Sequence, residues 1–386
     1  MLYAAEGAPI GFLWWALPTR LRLSEVSLGE ITTLTAVLAL PWSLKFLWAP
    51  LVDVSRRSFR AWILAAQATM VATLAPLLWL DFAADFRLVF ALLVAHAMAA
   101  ATQDVAIDGL AIRAAPASER GALNGAMQAS LLGARLLFGA GTLWLADVID
   151  SRLPIALLIV VVAAAGASLL LVEEPRWPER LARWDEVGRA LATMARARQT
   201  RLGLAVAVLA GAAFESVGAV AGPFLLDHGA SERAVSVFYA AGVVAMASGA
   251  LLGGWSADRW GRIRPLAAFV VLVAGLVALV GVLAARADSN DVLPYLLCLV
   301  YFGIGLMTAS SYALFMDLSD VRLGATEFSA FMGATNLCES MSSFAVGRIH
   351  GSSGYPIAFV AMAAVSLLSL APLRALASLG SRDKRG

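Results

Sequence analysis

Glu6, Lys45, Asp104, Asp108, Arg135, Glu215, Asp317, Glu327 and Glu339 are ionisable residues set within long apolar stretches of this sequence. Such a group at the centre of a helix in hydrocarbon costs at least about 2.5–3.5 kcal/mol, so each is expected to face a partner or an aqueous cavity. Three kinds of chemistry are open to them. Carboxyls can load and release protons, carboxylates can pair with an ammonium or guanidinium, and a guanidinium can grip a carboxylate or phosphate through two parallel hydrogen bonds. Cys298 and Cys338 read as small core residues, and His96, His228 and His350 are dispersed. No spacing suggests a metal site, a cofactor or a hydrolytic constellation, so the chain reads as no enzyme.

The elements that carry these residues follow from composition. Of 386 residues, 60% are hydrophobic and 15% charged, and the mean hydropathy is +0.79, values that mark a membrane protein. Charge-poor runs long enough to cross about 30 Å of hydrocarbon as a helix predict about twelve spans, at 2–19, 28–51, 62–80, 87–110, 121–146, 153–172, 202–226, 232–256, 264–285, 292–316, 324–347 and 354–376. The short alternating segments of a membrane barrel are not seen, so the expected fold is all-α and polytopic. Of the 29 Lys and Arg, 20 fall in connections on one side of these spans and seven on the other, which predicts both termini on the cytoplasmic side. The net charge of +2 is spread over membrane rims and gives no support to nucleic-acid binding. The opening residues, MLYAAEGAPIG, lack a basic leader region and read as the start of the first span. With five residues before Glu6, that span is either short or begins upstream.

A coarse repeat recurs at an offset a little above 200 residues. Ala4-Ala5-Glu6 answers to Ala213-Phe214-Glu215, the loop around Asp53 to that around Asp258, and Asp108 to Asp317. Two six-helix halves are expected, over 1–172 and 202–386, the second ending in a short cytoplasmic tail. Residues 173–201 between them are rich in arginine, with Leu181, Trp184, Leu191 and Met194 on one helical face, and predict an amphipathic linker helix on the inner leaflet.

Gly254-Trp255-Ser256-Ala257-Asp258-Arg259-Trp260-Gly261-Arg262-Ile263-Arg264 resembles the G-x-L-a-D-R-x-G-R-[KR] loop of the major facilitator superfamily, whose parallel six-helix halves surround a central cavity. The physics of that loop is a latch. Gly254 lets two helices approach, Asp258 can accept from a helix N-terminus, and Arg259 and Arg262 can pair with a carboxylate such as Asp317. In the first half, Asp53 with Arg56, Arg57 and Arg60, facing Asp108, is expected to form a degenerate copy in which Ala49, followed by Pro50, replaces the glycine. KFLWAPLVD at 45–53, with EGAPIG at 6–11 and ATQDVAIDG at 101–109, resembles the AmpG-like permeases, a branch of muropeptide, acetyl-CoA and siderophore transporters. That resemblance implies proton-driven uptake of a fairly large polar or anionic solute across an inner membrane; membrane lipids as partners and a monomeric state are expected as well. An exporter of amphipathic compounds and a non-transporting scaffold or sensor on the same fold are the alternatives.

Depth sorts the candidates. Asp108 and Asp317 lie next to cytoplasmic loops and read as latch partners, and Glu327 as a carboxylate at a helix N-terminus. Asp104, with Gln103 beside it, suits the cavity or the latch. Arg135 suits a bidentate grip on substrate or an internal ion pair with Glu339 or Glu6. Glu6 and Glu215, on the first helix of each half, suit proton or substrate coupling. Lys45 suits snorkelling to the inner rim, an anionic substrate, or a pair with Asp104. Gln128, Asn124, Asn336 and Tyr312 suit the cavity wall or interhelical hydrogen bonds.

Overall fold

Segments in hydrocarbon must satisfy their own backbone hydrogen bonds, and this chain does so as helices throughout its described residues. The computed structural model describes residues 1–18, 21, 28–55, 57–82, 84–141, 152–171, 184–286 and 291–383, and every regular element among them is helical. In chain order the helices are α1 Leu2–Gly11, α2 Leu28–Leu44, α3 Ala49–Val54, α4 Phe59–Leu74, α5 Phe86–Ala114, α6 Arg120–Leu136, α7 Leu153–Leu170 and α8 Trp184–Arg196. They continue with α9 Arg198–Ala210, α10 Ala212–Asp227, α11 Glu232–Trp260, α12 Ile263–Ala284, α13 Leu293–Leu318, α14 Gly324–Leu367 and α15 Leu370–Asp383.

Eight helical stretches among the described residues are long and apolar enough to cross a bilayer. One of them, Val321–Leu379, is 59 residues long and covers the ground of the last two expected spans, with a break at Gly354. Thr33–Leu47 is a shorter apolar helix. α6 carries Arg120, Asn124, Gln128 and Arg135 along its 17 residues, which lowers its hydropathy.

The chain resolves into two compact units. The first comprises Met1–Ala114, Ser130–Gly188 and Val321–Ser329. Here α4 packs along α5 and α7, and Phe12, Leu38, Met70, Leu93 and Leu158 form its buried core. Two π-helical segments, Phe12–Ala16 after α1 and Leu137–Gly141 after α6, pack on each other in this unit. The second comprises Ala115–Ala129, Arg189–Asp320 and Ala330–Gly386. Its central contact is α11 along α13, and its core joins Val217, Phe224, Phe238, Val277, Leu297 and Phe359.

A local break positions the first candidate site. Pro50 has no N–H to continue a helix from upstream and favours a helix start, and it sits in the first turn of α3. The preceding Lys45–Leu47 tightens into a 3₁₀ turn between α2 and α3. That turn carries Lys45 into the protein, 3% exposed, while Phe46 and Leu47 stay on the surface.

Candidate functional site

Asp104 and Asp108 are one helical turn apart on α5, so their carboxyls share a face. Lys45 reaches across to that face: its Nζ lies 2.5 Å from Asp104 Oδ2 and 3.4 Å from Asp108 Oδ2. Tyr3 Oη on α1 donates to Asp108 Oδ1 at 2.5 Å. Glu6, one turn further along α1, lies beside Asp104, with its Oε2 buried and without a hydrogen-bond partner. Gln103 is fully buried and neither atom of its amide is hydrogen-bonded. Three carboxyls therefore meet one ammonium in the interior of the first unit. Each of these four groups is no more than 5% exposed. Asp108, expected to face the arginines near Asp53, lies in this cluster because it shares its helix face with Asp104.

Asp53 heads a separate network in the first unit, at the start of α14. It accepts from Thr326 N–H at 2.8 Å, the Thr326 hydroxyl at 2.7 Å and Ala325 N–H at 3.3 Å, satisfying backbone donors that the helix itself leaves open. Arg113 in the last turn of α5 lies 3.5 Å from Asp53. It donates to the carbonyls of Val321 at 2.9 Å and Arg322 at 3.1 Å, and its guanidinium sits over Phe59. Burial pushes the Asp53 carboxyl up to about 6 despite these donors and Arg113. Arg57 is exposed nearby, and Arg56 lies outside the described residues.

The corresponding network of the second unit centres on Asp258. It accepts from Gly121 N–H at 2.8 Å and Ala122 N–H at 2.6 Å, in the first turn of α6. Arg262 bonds Asp258 at 2.5 Å and Asp317 at 2.6 Å, and also donates to the Ala117 carbonyl. Arg120 completes the ring, with Nη1 3.0 Å from Asp317 Oδ1 and 3.0 Å from the Met316 carbonyl. Gly254 and Gly121 touch backbone to backbone, the carbonyl of each occupying the place a side chain on the other would need. Arg259 is exposed. Asp258→Asn keeps the shape and one acceptor but removes the charge shared by Gly121, Ala122 and Arg262. A fall in melting temperature of a few degrees and slower turnover with unchanged substrate affinity are expected, measured by thermal shift and initial-rate uptake.

The remaining candidates are spread. Glu215 on α10 is half-buried, with Glu339 and Cys338 of α14 close by, and Glu339 itself is exposed. Arg135 is half-buried in the last turn of α6, before the π-helical segment. Gln128 and Asn336 are half-buried, Asn124 donates to the Arg120 carbonyl at 2.7 Å, and Glu327 is buried in the first turn of α14. Sequence reasoning missed Tyr3, Arg113, Arg120 and Thr326. The available signal was position: Arg113 and Arg120 lie at helix ends, where open carbonyls and carboxylates gather.

Residues 1–347 match the family model described as Major Facilitator Superfamily. Over 150 residues the chain is 32% identical to the anhydromuropeptide permease of Escherichia coli (strain K12), an alignment covering 37% of this chain and 30% of that one. It therefore spans less than a third of that relative's length. Putative transporter AmpG 4 of Rickettsia felis is 20% identical over 385 residues, 93% of this chain and 91% of its own. Among solved structures, a single-residue variant of the E. coli fucose:proton symporter superposes with a TM-score of 0.73 at 14% identity, over 97% of this chain and 99% of that one. A bacterial homologue of the iron transporter ferroportin, in an outward-facing state, gives 0.75 at 13% identity, over 98% of each chain. At such identities these two likenesses concern the fold alone.

Proposed function

This chain belongs to the major facilitator superfamily, and from that premise we propose that it is a proton-coupled secondary transporter taking up a polar or anionic solute, such as a siderophore or a muropeptide, by alternating access. The observation that carries this reading is the cluster of Glu6, Asp104 and Asp108 around Lys45. Fully ionised, its carboxylates outnumber its single cation in a low-dielectric interior. Glu6 lies beside Asp104, and a proton shared between neighbouring carboxyls would relieve that excess of negative charge. The cluster is thus built to hold a proton as well as an ammonium. Taking up or giving up that proton changes how firmly Lys45 ties α5 to the turn after α2, which is the mechanical link that coupling needs.

The other assignments follow from the same scheme. Two halves, 1–172 and 202–386, alternate access to a midplane site, and the linker at 173–201, of which 184–201 are described, lies on the inner leaflet. The Asp53 and Asp258 networks are cytoplasmic gates that open when helix N-termini leave their carboxylates. Arg135 grips the anionic part of the solute, and Glu215 with Glu339 supplies a second titratable pair. The protein is a monomer in a bacterial-type inner membrane with both termini cytoplasmic. The name of one relative, an anhydromuropeptide permease, supports the solute class.

The test is uptake of a labelled anhydromuropeptide and a labelled ferric siderophore into right-side-out and inverted vesicles, with and without an imposed proton gradient. Gradient-driven accumulation in right-side-out vesicles is expected. Glu6→Gln keeps the side-chain shape and removes the titratable group, so uptake by this variant loses its dependence on external pH. A variant with wild-type proton dependence takes Glu6 out of coupling, and gradient-independent export in both preparations favours the efflux alternative.

A further inference from the structure

Two buried glutamines of the first unit have no place in the transport scheme. Gln67 on α4 is 3% exposed and Gln103 on α5 is fully buried, and neither the oxygen nor the nitrogen of either amide has a hydrogen-bond partner. A primary amide carries two N–H donors and an acceptor oxygen, and burying one with its bonds unmade is costly. Two such amides in one interior call for a polar partner small enough to enter it.

Helix register brings them to the same level. α4 and α5 are joined by a short connection and run in opposite directions, and Thr73 Oγ1 on α4 lies 3.4 Å from His96 Nδ1 on α5. Two turns on from His96 along α5 is Gln103, on the same face, and two turns back from Thr73 along α4 is Ala66, next to Gln67. The residues around this level are small: Ala66, Ala99 and Ala100 are buried there, and on α7 the place of a side chain at Gly166 lies 2.6 Å from Gln67 Oε1. The two amides do not bond each other, and alanines offer them nothing. An internal water, which needs little room and two to four polar partners, suits such a gap.

The gap adjoins the carboxyl cluster. Asp104 follows Gln103 in the chain and turns to Lys45, with Glu6 beside it and the Glu6 Oε2 also buried without a partner. Asp108 and Tyr3 lie on the far side of Lys45. In the other direction the seam leads to His96, whose Nε2 is buried without a partner.

We propose that α4, α5 and α7 hold an internal water between Gln67 and Gln103, and that this water is the last relay by which protons from solvent reach the Glu6 and Asp104 carboxyls. In the relay step the water oxygen accepts an incoming proton and one of its own protons passes to a carboxylate, so the water is restored and the carboxylate is neutralised. The water site stands on the buried amides alone, whereas its relay role rests on the proton-coupled reading above.

Melting of the purified full-length protein tests the site. Gln→Met keeps the length of the side chain and its helix propensity but removes the hydrogen-bonding groups. With a shared water, Gln67→Met and Gln103→Met each leave the water and the other amide short of a partner, and each is expected to lower the melting temperature by roughly 2–4 °C. The double variant, with no amide left to satisfy, is expected to recover much of that loss. Single variants that melt above the wild type, as relief of an unpartnered amide would give, overturn the site, and so does a double variant that loses the full sum. Should a variant fail to fold, a crystallographic map of the wild type decides: a water within hydrogen-bond reach of both amides is expected, and a seam without one overturns the site.

Vesicles test the relay with labelled anhydromuropeptide. Gln67→Met is expected to lower the ratio of gradient-driven uptake to solute counterflow at equal pH by about tenfold, the effect of roughly one hydrogen bond lost from the proton path. An unchanged ratio overturns the relay. A wild type that shows no gradient-driven uptake overturns it together with the transport reading, while the melting result still decides the water site.

Discussion

Lys45→Met is expected to abolish gradient-driven uptake and to destabilise the folded protein by about 3–5 kcal/mol, the usual cost of stripping one partner from a buried ion pair. Methionine matches the length of the lysine stem, so little packing is lost. What disappears is the cation that holds Glu6, Asp104 and Asp108 together, two of which Lys45 contacts directly. The companion variant separates folding from transport. Adding Asp104→Asn to Lys45→Met removes a charge left without its counter-ion and is expected to recover much of the lost stability, read as the melting temperature, while uptake stays absent. If Lys45→Met alone transports at the wild-type rate, the cluster is structural and the coupling groups lie elsewhere.

Gly254→Val is the second large effect, and it acts through shape alone. The Gly121 carbonyl occupies the place where the first side-chain carbon of a residue at 254 would sit. A branched side chain must therefore push α11 away from the start of α6. Overpacking of this kind costs about 1–3 kcal/mol, occasionally more. The displacement also draws Asp258 off Gly121 and Ala122, whose N–H groups it accepts at 2.8 and 2.6 Å, at a further cost of about 1 kcal/mol for a lost cap. A clearly lower melting temperature and more than about a tenfold loss of uptake rate are expected, with Gly254→Ala between wild type and Val. Wild-type uptake by the Val variant would mean that the two helices need not meet here during the cycle.

How far these sites could be read beforehand depended on the range of the interaction concerned. The helical class and the membrane setting were legible because hydrocarbon leaves a chain few ways to satisfy its backbone, and long apolar runs record that constraint directly. The loop around Asp258 was legible because its glycine, aspartate and arginine lie within nine residues of one another. Lys45 stood out as an ammonium in an apolar run, and the kink that turns it inward was marked by Pro50. Partners distant in the sequence left no such trace. Tyr3 meets Asp108 across 105 residues, Arg120 meets Asp317 across 197, Arg113 meets Val321 across 208 and Thr326 meets Asp53 across 273. Hydropathy says that a charge must find company, but the rotation of one helix against another chooses which, and no periodicity in a single helix encodes it. Asp108 shows the difference: its nearness to a loop pointed to a gate, whereas its rotation on α5 delivers it to Lys45.

Lys45 also makes the molecule chemically addressable. The sequence contains two lysines, Lys45 and Lys384, so apart from its α-amino group the chain offers amine-directed reagents only these two targets. Lys384 belongs to the C-terminal tail. Lys45 is enclosed and paired in the structure described here, and a reagent in the surrounding solution meets it only in conformations that unpack the cluster. Acylation at that one side chain would register such openings as modified protein, in native membranes and without any engineered label.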